Sequence, residues 1–305
     1  MFSDLRIYVI IGIFMILCSS LLIYNFAVIR YAKGKYTGAS AAVKRLKTKI
    51  YEQAIIISGD ATHLKVRHER HLIRKLSNPE NLVLYSLALS DLKNEFPDSF
   101  NTYISERGDT FIKLGGVYSR KSVIERTCFA DFIGDFHQVV GDSVENMAEI
   151  LVSYIDNSGI YCRTKVLDAL CGIGSLHGVA TAISIFNEKS LFVNSLVLAK
   201  AFLSFNGDLE VLCAHLWNMS KDWNDDLKTA VIWVITDASS KYEEEFRQML
   251  DAGKASPKVR DALKGYFNRA RTKEESVLNT VLAAQPKSSE QPKPPKEIRG
   301  VIATQ

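Results

Sequence analysis

Residues 241–267 read KYEEEFRQMLDAGKASPKVRDALKGYF. The first half is a helix that ends in Met249, Leu250 and Asp251; Pro257 stands in the turn, and Val259, Arg260, Ala262 and Leu263 open a second helix. Apolar positions three and four apart, broken by Gly and Pro, predict helix, turn, helix and not paired strands. A two-helix unit of this kind has one helix too apolar to stand exposed, so it needs a neighbour on either side.

Working outward, LIRKLSNPENLVLYSLALSDL at 72–92 has the same form, with Leu76, Asn78, Pro79 and Leu82 around its turn. Between the two units the chain is punctuated by SNPEN (77–81), GGVYSR (115–120), DNSGIY (156–161), NEKS (187–190), SKDWNDD (220–226) and DAGKASP (251–257). The intervening segments are too long for strands. They carry helical apolar spacing, as in Val166, Leu167, Leu170, Ile173 and in Val231, Ile232, Val234, Ile235. The first apolar residue after each turn falls at Val83, Val123, Cys162, Val193, Leu227 and Val259, at intervals of 40, 39, 31, 34 and 32 residues. Periods in this range mark stacked helical pairs. On the turn proline and the Val-Arg pair, the last unit resembles a HEAT repeat; the front unit is similar, and the middle units lack both features. The expected fold is all-α, with a HEAT-like α-solenoid of about six helical pairs over 61–285. A closed helical bundle is the rival, because the intervals differ by up to nine residues.

Ahead of this domain, after a short flank at 1–6, Ile7 to Ile29 reads IYVIIGIFMILCSSLLIYNFAVI without a charged residue. As a helix, its 23 residues would reach about 34 Å against a hydrocarbon core of about 30 Å, which predicts one transmembrane crossing. The stretch is too long for a cleaved signal peptide, whose apolar core is about 7–15 residues. Residues 30–60 predict a basic juxtamembrane amphipathic helix, with Val43, Leu46, Ile50, Ala54 and Ile57 on one face. That face serves either lipid or the first turn of the domain. Lys33, Lys35, Lys44, Arg45, Lys47 and Lys49 are the candidates for lipid headgroups. Residues 286–305, rich in Pro and Lys, predict a disordered tail.

The formal net charge of +4 hides an asymmetry: residues 33–75 carry a net +8, and 76–305 a net −5. Basic charge beside the span places the N-terminus outside and the large C-terminal part in the cytoplasm of a single-pass cell-membrane protein. It also speaks against nucleic acid as a partner, which would require a basic surface on the folded domain. The five cysteines, Cys18, Cys128, Cys162, Cys171 and Cys213, contain no CxxC pair, and they read as free, mostly buried thiols in a reducing compartment.

Residue groupings that could carry chemistry are few. His63, His68 and His71 sit among Arg67, Arg70, Arg74 and Lys75, a poor surrounding for a metal cation, and read as a solvated basic face. Gly172 and Gly174 follow a helix and not a strand, so they read as an inter-helix turn and not a phosphate loop. Asp131, Asp135 and Asp168 read as helix caps and solvated faces. Of the tryptophans, Trp233 reads as core and Trp223, in a polar turn, as either a partner contact or a cover for that turn.

The expected function is therefore a membrane-anchored cytoplasmic scaffold without metal, cofactor or catalytic residues, which holds a protein partner, itself a membrane protein. The candidate partner contacts are polar positions on the second helix of each unit: Arg163, Lys165, Lys200, Lys228, Arg260 and Lys264. One N-terminal span followed by HEAT-like units resembles bacterial accessory proteins of membrane glycosyltransferases in polysaccharide synthesis, which implies that class of partner. The alternatives are an enzyme on a HEAT-like fold, in the manner of bilin lyases or alkyl-base DNA glycosylases, and a sensor arm or tether.

Overall fold

The computed structural model describes residues 14–15, 17–21, 23–25, 38–55, 66–238, 241–253 and 255–269. Among these residues the fold is all-α, without a strand. The helices are α1 (38–55), α2 (Val66–Leu76), α3 (Pro79–Glu95), α4 (Pro97–Ser105), α5 (Gly108–Tyr118), α6 (Val123–Asp135), α7 (Val144–Ser153), α8 (Ile160–Gly172), α9 (Leu176–Glu188), α10 (Ser195–Leu203), α11 (Leu209–Met219), α12 (Asp225–Ala238), α13 (Glu243–Asp251) and α14 (257–269). Their starts follow local chemistry. Asn78 caps α3 ahead of Pro79, and Ser122 and Glu125 form a reciprocal capping box on α6. Ser175, Asn194 and Asp208 accept backbone N–H groups at the heads of α9, α10 and α11.

The packing alternates along two rows. One row runs α2, α5, α7, α9, α11, each helix touching the next; the other runs α3, α6, α8, α10, α12 in the same way. Rungs between the rows join α2 to α3, α5 to α6, α7 to α8 and α11 to α12. The last helices extend both rows: Phe246 of α13 meets Tyr266 of α14 edge to face at 4.8 Å, and α14 is tied to α12 by Lys258–Asp226 and by Arg269–Asp237 at 2.5 Å. The arrangement is compatible with a helical-repeat fold. The later pairs begin at Val144, Leu176, Leu209 and Glu243, so they are 32, 33 and 34 residues apart. The first interval is longer because α4, which the sequence did not announce, is inserted before α5.

One hydrophobic core runs the length of both rows, from Ile50 to Tyr266. In the first half it is aromatic: Tyr118 stacks on Phe129 at 5.0 Å, and Phe111 meets Phe132 at 5.1 Å. Polar links recur at about the repeat distance. The Tyr118 hydroxyl donates to the Leu76 carbonyl and the Tyr154 hydroxyl to the Gly115 carbonyl, each at 2.7 Å. Lys113–Glu69, Lys165–Asp131, Lys189–Asp156 and Lys241–Glu210 likewise join one pair to the next. Exposed ion pairs of this kind contribute little to stability because solvent screens them.

One expectation changes, and two open alternatives are decided. GGVYSR does not open as a turn: Gly115 and Gly116 lie inside α5, which runs to Tyr118. Gly115 faces Phe129 and the Ile150 side chain, so the small residue admits neighbours and does not break the helix. Trp223 is buried at 7% exposure, which settles it as packing over its turn, whereas Trp233 is only partly buried. The apolar stripe of α1 covers the domain: Ile50 and Ala54 are buried, Tyr51 meets Phe96 at 4.7 Å, and Lys47 is bonded to Glu95.

Among the described residues no helix is long and apolar enough to cross a membrane. The span expected over 7–29 falls largely outside them; the positions described there are helical, with Phe14, Leu17, Leu21 and Ile23 exposed. Residues 30–37, 56–65 and 270–285 and the tail at 286–305 also lie outside.

Candidate functional site

The row that contains α6, α8, α10, α12 and α14 carries two adjoining clefts. The first, of about 480 Å³, lies across the C-terminal parts of α6 and α8 and is bounded by Leu203 of α10 and residues 204–206 of the α10–α11 turn. Asp131 and Asp135 are one turn apart on α6, on the side opposite buried Phe129 and Ile133; Lys165 and Asp168 stand three apart on α8. His137 adds an imidazole at the α6 end. The closing turn is fixed by a hydrogen bond from the Asn206 N–H to the Cys171 carbonyl at 2.9 Å. Gly174 makes that docking possible: its φ is +72°, and a Cβ would lie 2.3 Å from the Asn206 carbonyl oxygen. Gly174 therefore serves the turn between stacked helices, as the sequence indicates, while Gly172 ends α8 against the Gly134 backbone of α6.

Electrostatically the first cleft is short of cations. Lys165 is hydrogen-bonded to Asp131 at 2.6 Å, which raises the lysine pKa. Asp135 is exposed, yet partial desolvation pushes its carboxyl above the ordinary range and repulsion from Asp131 adds to this, with Lys165 and Lys93 opposing. Burial does the same at Asp168; Lys165 and Lys200 draw it down only in part, and Asp131 raises it again. Among the described residues neither Asp135 nor Asp168 has a hydrogen bond or an ion pair. The sequence placed these three aspartates on solvated faces. What it could not display is that residues 34 and 37 positions apart meet across two helices of one row.

The second cleft, of about 320 Å³, lies between α10, α12 and α14 and is lined by Leu196, Ala199, Leu203 and Trp233, with Lys200, Asp237 and Arg269 at its rim. Leu203 lines both clefts.

The expected partner contacts divide. Arg163 donates to the Ser158 carbonyl at 2.9 Å and to the Phe192 carbonyl at 3.0 Å, so it pins two turns together. Lys165 is engaged with Asp131 in the first cleft. Lys200 is exposed at the junction of the clefts; Lys228 is partly buried, and Arg260 and Lys264 are exposed on α14. Of the expected lipid contacts, Lys44, Arg45 and Lys49 are exposed on α1 and Lys47 is taken by Glu95, while Lys33 and Lys35 lie outside the described residues. His71 is exposed beside Arg74; His63 and the side chain of His68 are not described. Among the described residues no three His, Cys, Asp or Glu side chains form a group able to hold a metal ion. The cysteines are free, with Cys162, Cys171 and Cys213 buried; burial pushes the Cys213 thiol up to about 11. No family model, no curated protein and no solved structure matches the chain.

Proposed function

We propose that this chain is a membrane-anchored scaffold: a HEAT-like α-solenoid of six helical pairs, tethered by a single span at 7–29, that holds a protein partner on the α6–α14 row. The observation that carries the reading is the pair of adjoining clefts on that row, built from alternate helices as repeat proteins build their binding surfaces. In this reading the N-terminus lies outside the cell membrane and the repeat domain in the cytoplasm. The basic charge at 33–75 supports that orientation, and Lys44, Arg45 and Lys49 of α1 meet the headgroups. The partner is a membrane protein, a glycosyltransferase of polysaccharide synthesis being the class that the sequence resemblance implies.

Binding is favoured over catalysis by how the first cleft uses its groups. Its one hydroxyl, Ser204, donates to the Ala201 carbonyl of its own helix at 2.7 Å and to no base, and its one lysine is held by Asp131. A second reading, acid–base catalysis on a HEAT-like fold, is favoured by the raised carboxyls of Asp135 and Asp168.

The test is in-cell photocrosslinking from Lys200 and Lys264 of the full chain, run beside a reporter fused after Gln305. A specific membrane-protein adduct with a cytoplasmic reporter supports the scaffold. Adducts to soluble proteins alone, or an external reporter, overturn it. Glycan or base turnover by the purified chain that is lost in Asp168→Asn selects the enzyme.

A further inference from the structure

Leu196, Lys200 and Leu203 lie four and three residues apart on α10, so they share one face of that helix, and among the described residues no other helix covers it. Leu196 is 66% exposed and Leu203 42%, beside the partly buried Trp233. Large apolar side chains grouped at a groove on the surface of a folded protein mark a place where another chain binds. The charges around them are unevenly satisfied. Asp237 is paired with Arg269 at the far rim, and Asp131 with Lys165 in the first cleft. Among the described residues Asp135 and Asp168 remain without an ion pair; Lys165 acts on both from a distance, Lys93 on Asp135 and Lys200 on Asp168.

A visiting segment therefore has to supply apolar side chains to one cleft and positive charge to the other. An acidic segment would set its carboxylates against Asp135 and Asp168, and a nucleic acid would do the same with its phosphates. A purely polar segment would leave Leu196 and Leu203 in water. The two clefts adjoin through Leu203, so one helix with an apolar stripe and a basic flank reaches both.

We propose that the groove across α6, α8, α10, α12 and α14 binds an amphipathic, cationic helix of a partner protein, apolar side chains packing on Leu196, Leu203 and Trp233 and Lys or Arg side chains meeting Asp135 and Asp168. The inference deepens the scaffold reading and rests on it, since it names the chemistry of the partner's contact.

The test uses the full chain in nanodiscs of zwitterionic lipid and two fluorescent peptides of equal length, one built of Leu and Lys at helical spacing and the other of Leu and Glu. Anisotropy should show the Leu–Lys peptide bound and the Leu–Glu peptide free. Asp135→Asn with Asp168→Asn should weaken binding at least ten-fold, and so should Leu196→Ser with Leu203→Ser, while circular dichroism stays unchanged. Tryptophan emission should shift on binding, and the shift should vanish in Trp233→Phe. Equal binding of both peptides, no binding of either, or full binding by either double variant overturns the groove assignment. A membrane-protein crosslink from Lys264 without peptide binding leaves the scaffold standing and removes the groove. Peptide binding without any membrane partner in cells does the reverse.

Discussion

Gly174 and Asn206 touch through their backbones: a Cβ on Gly174 would stand 2.3 Å from the Asn206 carbonyl oxygen. The contact docks the α8–α9 turn onto the α10–α11 turn and so closes the first cleft. Gly174→Ala meets two obstacles at once, the positive φ and the carbonyl, neither of which a flexible side chain can relieve. The variant should lose about 2–4 kcal/mol in urea unfolding. Gly253, also at positive φ but with nothing near its Cβ position, is the control. Gly253→Ala should lose only the conformational part, roughly 1 kcal/mol. Equal losses would show that the Asn206 contact does not constrain the turn.

Tyr118 and Tyr154 make the same bond one repeat apart, yet their loss should not be equal. Tyr118→Phe leaves the Leu76 carbonyl, at the last residue of α2, without its donor. The Gly115 carbonyl, which Tyr154 serves, also accepts from the Ser119 N–H at 3.0 Å. Tyr118→Phe should therefore cost about 2 kcal/mol and Tyr154→Phe about 1 kcal/mol, read from chemical denaturation. The opposite order would mean that the helix-end carbonyl finds another donor once the phenol is gone.

The helical class and the pair spacing were legible in the sequence because both rest on apolar period and on turn residues. All six residues at Val83, Val123, Cys162, Val193, Leu227 and Val259 fall in or beside the early turns of one row, α3, α6, α8, α10, α12 and α14. The clefts were not legible, because they depend on which face of each helix meets its row neighbour. Arg163 illustrates the difference. In sequence it is one more polar residue on a second helix, while in the fold it donates to carbonyls in two separate turns. Arg163→Ala should cost roughly 1–3 kcal/mol, whereas Lys264→Ala, exposed on α14, should leave the melting temperature unchanged.

Arg107 is a charge in the core. It is 4% exposed, and its Nε has no partner among the described residues. Its guanidinium lies 4.8 Å from the Tyr103 ring, and its Nη2 reaches the Gln53 side-chain oxygen at 3.4 Å. Among the described residues no carboxylate is bonded to it; the Tyr103 hydroxyl is its other polar neighbour. Removing a buried charge that lacks a counter-charge relieves desolvation, and an apolar chain of similar length keeps the packing. Arg107→Met should fold with a melting temperature at or above that of the unsubstituted protein. A loss near the 3–5 kcal/mol that follows from breaking a buried ion pair would show that the guanidinium is matched by an anion after all.

Asp168 ties the first cleft to stability. Its carboxyl is held above the ordinary range, chiefly by burial and further by Asp131, with Lys165 and Lys200 opposing. A carboxyl raised in the folded state binds its proton more tightly there than in the unfolded chain. Its stabilising contribution is complete below the unfolded value, near about 3.9, and is lost as pH rises through the folded one. At neutral pH the ionised side chain thus works against the fold, and a cation delivered to the cleft would relieve it. Asp168→Asn keeps the shape, removes the charge and changes helix propensity little. Melting curves should place the variant above the unsubstituted protein at about pH 7, with the gap closing as the pH falls toward about 4. Asp135→Asn should move the same way by less, since Asp135 is exposed and Lys165 and Lys93 oppose the desolvation and the Asp131 charge that raise its carboxyl. A variant less stable at neutral pH would mean that the Asp168 carboxylate holds a bond the fold depends on, and the cleft would then be structural.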